Sequence, residues 1–199
     1  MAKLHFKYGA MNSGKSDTLI KTAYNYTERG LSVVTMKPSI DTKGDTNIVA
    51  RGGAMRPVDI IATPEMNVRQ EIKAYTKKQG IDKLSCVLID EAQFLTSEQV
   101  SQLLEVAKLD NTSVIAYGLR ADFLTQLFPG SKRLFEIADN IEKLPTMCRC
   151  GNQAELNCRK VNGHYVFEGD QVAIDGEQAV SYESFCGSCY LKERDAAHS

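Results

Sequence analysis

Residues Gly9-Ala-Met-Asn-Ser-Gly14-Lys15-Ser16 fit the pattern G-x4-G-K-[ST]. An alternating run, Leu4 to Tyr8, precedes them and reads as a strand. Lys15 to Arg29 follows and reads as a helix, ended by Gly30 in the C′ position. Strand, loop and helix in that order give the pattern its physical meaning. The glycines let backbone N–H groups converge on a dense anion, and the helix N-terminus adds a partial positive charge. A chain that opens this way is expected to cradle the phosphates of a nucleoside triphosphate. Gly9, Met11, Asn12, Ser13 and Gly14 form the cradle, Lys15 reaches the β- and γ-phosphates, and the Ser16 hydroxyl ligates Mg²⁺.

The rest of the N-terminal part continues the alternation of strand and helix. Leu31 to Met36 is β-rich and Pro38 stops it. Residues 38–57 have no clean period and read as a long loop. Val58 to Ile61 reads as a short strand, Val68 to Lys78 as a helix capped by Asn67 or an earlier residue, and Leu84 to Ile89 as a buried strand. Ser97 to Lys108 is a helix, Ser113 to Tyr117 a strand, residues 119–138 two short helical pieces, and Ile141 to Leu144 a last strand. The expected architecture is a mainly parallel α/β sheet with helices on both faces, a P-loop NTPase fold of the RecA-like kind.

Val87-Leu88-Ile89 ends in two carboxylates, Asp90 and Glu91. Such a strand end is expected beside the phosphate loop. Asp90 then holds Mg²⁺ through water, and Glu91 is free to take a proton from a hydroxyl nucleophile. Gln93 follows close enough to join the nucleotide site. Without an acceptor, a switch GTPase, an ATPase motor and a small-molecule kinase all fit. No N/T-K-x-D guanine-reading motif is present, which disfavours the GTPase. Asp90-Glu91-Ala92-Gln93 is similar to a helicase acidic box, but no second helicase-like block accompanies it.

After Pro145 the texture changes to cysteines, glycines and short β-like runs (Ala154 to Val161, His164 to Phe167). The expected division is 1–144 for the nucleotide-binding domain, 145–193 for a small zinc-ribbon-like domain with a lid loop, and 194–199 for a frayed tail. Of six cysteines, Cys148/Cys150 and Cys186/Cys189 form two close pairs, a spacing that favours tetrahedral zinc. Four thiolates leave no open position, so the metal is structural. Cys86 reads as a small buried hydrophobe, Cys158 stays open, and His164 is left out of the ligand set. Residues 1–144 carry 19 basic against 17 acidic side chains, and 145–199 carry 5 against 8. The cysteine-rich part is therefore acidic, which counts against nucleic acid as a partner. No apolar run is long enough to span a membrane, and MAKLHFKYGA does not read as a signal peptide, so the expected location is cytoplasmic.

Several segments, in order, resemble one family: the thymidine kinases of bacteria, animal cytosol and DNA viruses. They are Gly9–Ser16 with Met11, the helix end Tyr24-Asn25-Tyr26 with Glu28-Arg29-Gly30, VLIDEAQF (Val87–Phe94), YGLRADF (Tyr117–Phe123), LFPGS (Leu127–Ser131) and the cysteine pairs flanking Val172–Tyr182. The resemblance spans Leu4 to Tyr190. It implies transfer of the ATP γ-phosphate to the 5′-hydroxyl of thymidine or deoxyuridine in deoxynucleoside salvage. Glu91 matches the general base, and Lys15, Ser16 and Asp90 match the phosphate and Mg²⁺ groups. Met11, Leu119, Phe123 and Phe128 match the apolar wall around the pyrimidine. Residues 163–182 match a substrate-covering loop, with Val172, Ile174 and Gly176 reading the base edge and Tyr182 near the sugar. The resemblance also implies a homotetramer inhibited by thymidine triphosphate. Where many members carry Asp-x-Arg, this chain has Asp41-Thr42-Lys43, which keeps the charge and loses the bidentate fork. Gly187-Ser188 stands in place of the more usual Arg-x between the last two cysteines. Two further readings stay open beside this one: a zinc-ribbon ATPase acting on nucleic acid, and a divergent relative that regulates or phosphorylates another nucleoside.

Overall fold

A computed structural model describes residues 1–171 and 179–197. Its centre is a six-stranded sheet in the order β5-β2-β6-β7-β1-β8, with every neighbouring pair parallel. The strands are β1 (Leu4–Tyr8), β2 (Ser32–Pro38), β5 (Ile60–Ala62), β6 (Leu84–Ile89), β7 (Ser113–Gly118) and β8 (Asn140–Lys143). Both faces are covered. Val87 and Ile89 of β6 point into a core with α2 (Val68–Lys78), α3 (Ser97–Lys108) and α4 (Pro129–Ile137). Cys86 and Leu88, one residue out of phase, point to the other face, where Leu19 and Ala23 of α1 (Lys15–Glu28) meet Ile48 and Tyr117. A strand buried on both sides has to read as a continuous apolar run, which LSCVLI does. Among the described residues no helix is long and apolar enough to cross a membrane.

Local signals account for the helix boundaries. Asn67 caps α2 by accepting from the Gln70 N–H (3.0 Å). Thr96 and Gln99 form a reciprocal capping box at the start of α3. Pro129 occupies the first turn of α4, where its missing N–H costs nothing.

Three expectations need correction. Residues 38–57 are not all loop, because β3 (Asn47–Val49) and β4 (Met55–Pro57) pair antiparallel as a small hairpin against α1. The strand expected at Val58 to Ile61 is β5, which starts and ends later. Only the second helical piece in 119–138 forms. In the first, the Asp122 carboxylate accepts the Leu124 and Gln126 N–H groups (2.8 Å each) and holds the chain in a turn. Sequence reading also missed α5, which runs from Gly187 to Ala197.

Beyond β8, β10 (His164–Val166), β9 (Leu156–Val161) and β11 (Val180–Phe185) form a separate antiparallel sheet in that order. Its two faces have different jobs. Cys158 and Phe185 pack with Cys148, Cys186 and Tyr190 into a small core of their own. Asn157 and Ser184, paired across the strands, face the phosphate loop instead. Met11 N–H donates to Asn157 Oδ1 (2.8 Å), and Ser184 Oγ donates to the Met11 carbonyl (2.5 Å).

Candidate active site

β1, β6 and β7 deliver Gly9, Asp90 and Leu119 to the same edge of the sheet, at the carboxyl ends of parallel strands where open α/β sheets form crevices. β7 lies between β1 and β6, yet Ser16 Oγ donates to Asp90 Oδ2 at 2.9 Å. The acidic strand end therefore does sit beside the phosphate loop, across one intervening strand. The loop curls tightly onto its own start: a Cβ at Gly9 would lie 2.3 Å from Ser13 Oγ and 2.8 Å from the Leu144 carbonyl.

Lys15 is buried inside that curl, donating to the Ala10 carbonyl (2.9 Å) and Ser13 Oγ (3.3 Å). Burial pushes its ammonium pKa down, and Glu91 and Asp90 push it back up. Asp90 is 4% exposed and accepts from Ser16 and from the Glu91 N–H (3.1 Å). Burial, then the neighbouring Glu91 charge, drive its pKa up, against those two hydrogen bonds. A buried carboxylate and a hydroxyl are hard oxygen donors, the donor set that suits Mg²⁺ shared with a triphosphate.

Glu91 has left-handed backbone angles, φ 48° and ψ 38°. For a residue with a Cβ this costs about 1–2 kcal/mol. The surroundings hold it there. Gln93 is fully buried in the 3-10 turn Ala92–Phe94, and its Nε2 donates to Glu91 Oε2 (2.5 Å) while its Oε1 accepts from the Leu119 N–H (3.0 Å). The N-terminus of α4 presses on the same turn. A Cβ at Gly130 would stand 2.4 Å from the Ala92 carbonyl and 2.8 Å from that of Gln93. Gln93 thus lines the hollow over Asn12 to Asp17, while its amide is committed to Glu91 and to the start of the loop after β7.

Two connected hollows occupy this edge. The wider, about 750 Å³, runs over Asn12 to Asp17 and is bounded by Glu91, Gln93, Asp41, Lys43 and Arg51. The narrower, about 150 Å³, is lined by Met11, Leu119, Phe123, Phe128 and Tyr182, the five described residues expected on the acceptor. Met11, Leu119 and Tyr182 line both, so the hollows open into each other. Val172, Ile174 and Gly176 lie outside the described residues.

Sequence reading missed four residues of the narrow hollow: Phe94, Asp122, Asn157 and Gln171. Phe94 packs edge-to-face on Phe128 (5.5 Å, 79°). A signal for Asn157 was present in the period-two phase of LNCRKV, where Asn157 and Arg159 alternate with Cys158.

Away from the hollows, the thiols of Cys148, Cys150, Cys186 and Cys189 all lie within 4.8 Å of one another, with Cys150 and Cys186 at 3.6 Å. Tetrahedral Zn–S bonds of about 2.3 Å set the sulfurs about 3.8 Å apart, whereas a disulfide needs about 2.05 Å. The cysteines are free, and the four fit a structural zinc ion. Cys86 and Cys158 are buried outside this group, and burial pushes each thiol up to about 12.

Known proteins are similar in sequence to this chain across nearly its whole length. The family model described as thymidine kinase matches residues 2–190. A thymidine kinase of Legionella pneumophila (strain Paris) is 43% identical over 195 residues, covering 96% of this chain and 88% of the relative. That of Mannheimia succiniciproducens is 40% identical over 201 residues and covers both chains completely. That of Enterobacteria phage T4 is 43% identical over 183 residues, covering 91% of this chain and 93% of its own.

Proposed function

The chain belongs to the thymidine kinase family, and from that premise we propose that it transfers the γ-phosphate of ATP to the 5′-hydroxyl of thymidine, and of deoxyuridine, in cytoplasmic deoxynucleoside salvage. The observation that carries the reading is that the hollow bounded by the phosphate loop and Glu91 shares Met11, Leu119 and Tyr182 with the apolar recess and so opens into it. In this reading the pyrimidine lies against Phe123, Phe128, Leu119 and Met11, and its sugar points toward Glu91. The 5′-oxygen attacks the γ-phosphorus as its proton passes to Glu91. The bond to the β,γ-bridging oxygen breaks, and ADP leaves with that electron pair.

Lys15 and the loop amides hold the phosphates in line, and Lys43 and Arg51, which line the same hollow, add positive charge. Ser16 and Asp90 would hold Mg²⁺, which neutralises charge on the β- and γ-oxygens when bound. Residues 1–144 are the nucleotide-binding unit and residues 145–193 its metal-binding companion. A homotetramer inhibited by thymidine triphosphate completes the proposal. Nucleic acid is not a partner in it, since the cysteine-rich part carries an excess of acidic side chains.

The test is incubation of the purified protein with Mg-ATP and each common deoxynucleoside, followed by assay for the 5′-monophosphate. Product from thymidine, with or without deoxyuridine, is expected. ATP binding without product from any nucleoside would overturn the assignment.

A further inference from the structure

Arg159 lies in mid-strand on β9, directly opposite Tyr182 on β11, and is only 5% exposed. Buried guanidinium groups normally pair with a carboxylate. Among the described residues none pairs with Arg159, and its partners are of another kind. Its guanidinium carbon stands 3.7 Å from the centroid of the Phe123 ring. Its Nε donates to the Tyr182 hydroxyl oxygen (3.0 Å), and an Nη donates to the Gln171 carbonyl (3.1 Å). Phe123, Tyr182 and Gln171 are all walls of the narrow hollow, and Arg159 is not.

Two consequences follow from donor chemistry. Arginine only donates, so the Tyr182 oxygen is an acceptor in that bond and its own proton is directed elsewhere. Tyr182 borders both hollows, so its hydroxyl is offered as a donor to an acceptor oxygen lying in them. A pyrimidine nucleoside carries such oxygens on its ring and sugar. Gln171, meanwhile, is held at both ends: Arg159 takes its carbonyl, and its Nε2 donates to Asp122 Oδ2 (3.0 Å).

We infer that Arg159 is the positioning residue of the nucleoside pocket, keeping the Phe123 face in place, fixing Tyr182 as a donor and pinning Gln171 to the wall. The inference rests on the thymidine kinase reading above and deepens it. Lysine would keep the charge but lose the flat face that stacks on Phe123 and the two diverging N–H groups.

The test compares wild type, Arg159→Lys, Tyr182→Phe and the double variant by steady-state kinetics with thymidine and ATP varied separately, and by thermal unfolding. Arg159→Lys is expected to raise the thymidine KM about tenfold while the ATP KM stays within about twofold and Tm stays near wild type. Tyr182→Phe is expected to raise the thymidine KM as well, and the double variant to be less than additive, since one change removes what the other acts through. A thymidine KM within twofold of wild type in Arg159→Lys would overturn the inference. So would a fall in Tm with both KM values rising together, which marks a merely structural role. Should Arg159→Lys fail to fold, an unchanged thymidine KM in Tyr182→Phe would overturn it. Wild type that does not phosphorylate thymidine would instead overturn the functional reading, and this inference with it.

Discussion

Glu91 keeps a left-handed backbone that its side chain disfavours, and a distant glycine makes room for it. Gly130 lets the start of α4 rest on the carbonyls of Ala92, Gln93 and Leu95, so the turn that aims Glu91 is clamped from outside. Gly130→Ala puts a methyl group into that contact. It is expected to lower Tm and to reduce kcat more than tenfold, with ATP affinity close to wild type, because the phosphate loop is built on other strands. Thermal unfolding, steady-state kinetics and an ATP titration check this, and a fully active variant would show that the clamp does not matter. The sequence singled out LFPGS as a marker of kinship, but the contact that makes its glycine necessary spans the fold. Asp122 is the opposite case. Its region looked helical, and the carboxylate overrode that tendency by taking two backbone amides for itself.

Among elements, α2 and α3 are joined by a charge network. Arg69 donates to Asp110 through Nε (2.8 Å) and Nη2 (2.9 Å) and to Glu105 through Nη1 (2.8 Å), and Lys73 pairs with Asp110 at 3.0 Å. The hydrogen bonds from Arg69 hold the Asp110 pKa down at about 2. A lowered carboxylate pKa means stability that is present above the unfolded value of about 3.9 and is lost as pH falls through the folded value. Asp110→Asn is therefore expected to unfold at lower urea than wild type at pH 7, with the gap closing between about pH 4 and about pH 2. The network is partly exposed, so the effect is modest. A gap that does not change with pH would contradict the assignment. The long elements were readable because their periodicity is strong: α2, β6 and α3 fall where the apolar spacing puts them. The β3–β4 hairpin was not, since strands of three residues carry no period and its pairing is stabilised by packing on α1. α5 was not anticipated either, although Leu191 to Ala197 is rich in helix formers and the Arg149–Glu193 pair anchors it.

At the scale of the molecule, hydrogen bonds tie the cysteine-rich part to the sheet edge that carries the two hollows. Tyr190, directly after Cys189, donates to the Phe123 carbonyl (2.7 Å), and Asn157 and Ser184 grip Met11. The purified protein is expected to carry about one zinc ion per chain. Cys186→Ser is expected to lower both metal content and Tm, and to raise the thymidine KM more than the ATP KM, because Tyr190 holds Phe123, a wall of only the narrower hollow, which the proposal gives to the pyrimidine. Metal analysis beside kinetics decides it; a metal-free variant with unchanged thymidine KM would uncouple the two regions. The phosphate loop, acidic strand end and cysteine pairs were legible because each is a local pattern. The face of β9 and β11 that stitches them together was not, because its residues acquire their partners only when two sheets meet.

The most direct measurement is single-site: Glu91→Gln, assayed for thymidine 5′-monophosphate formation and for ATP affinity on the same preparation. If Glu91 takes the 5′-hydroxyl proton, kcat falls about 10²- to 10⁴-fold while the ATP dissociation constant stays within about twofold. Turnover within about tenfold of wild type, on a protein that binds ATP normally, would contradict the assignment of Glu91 as the base.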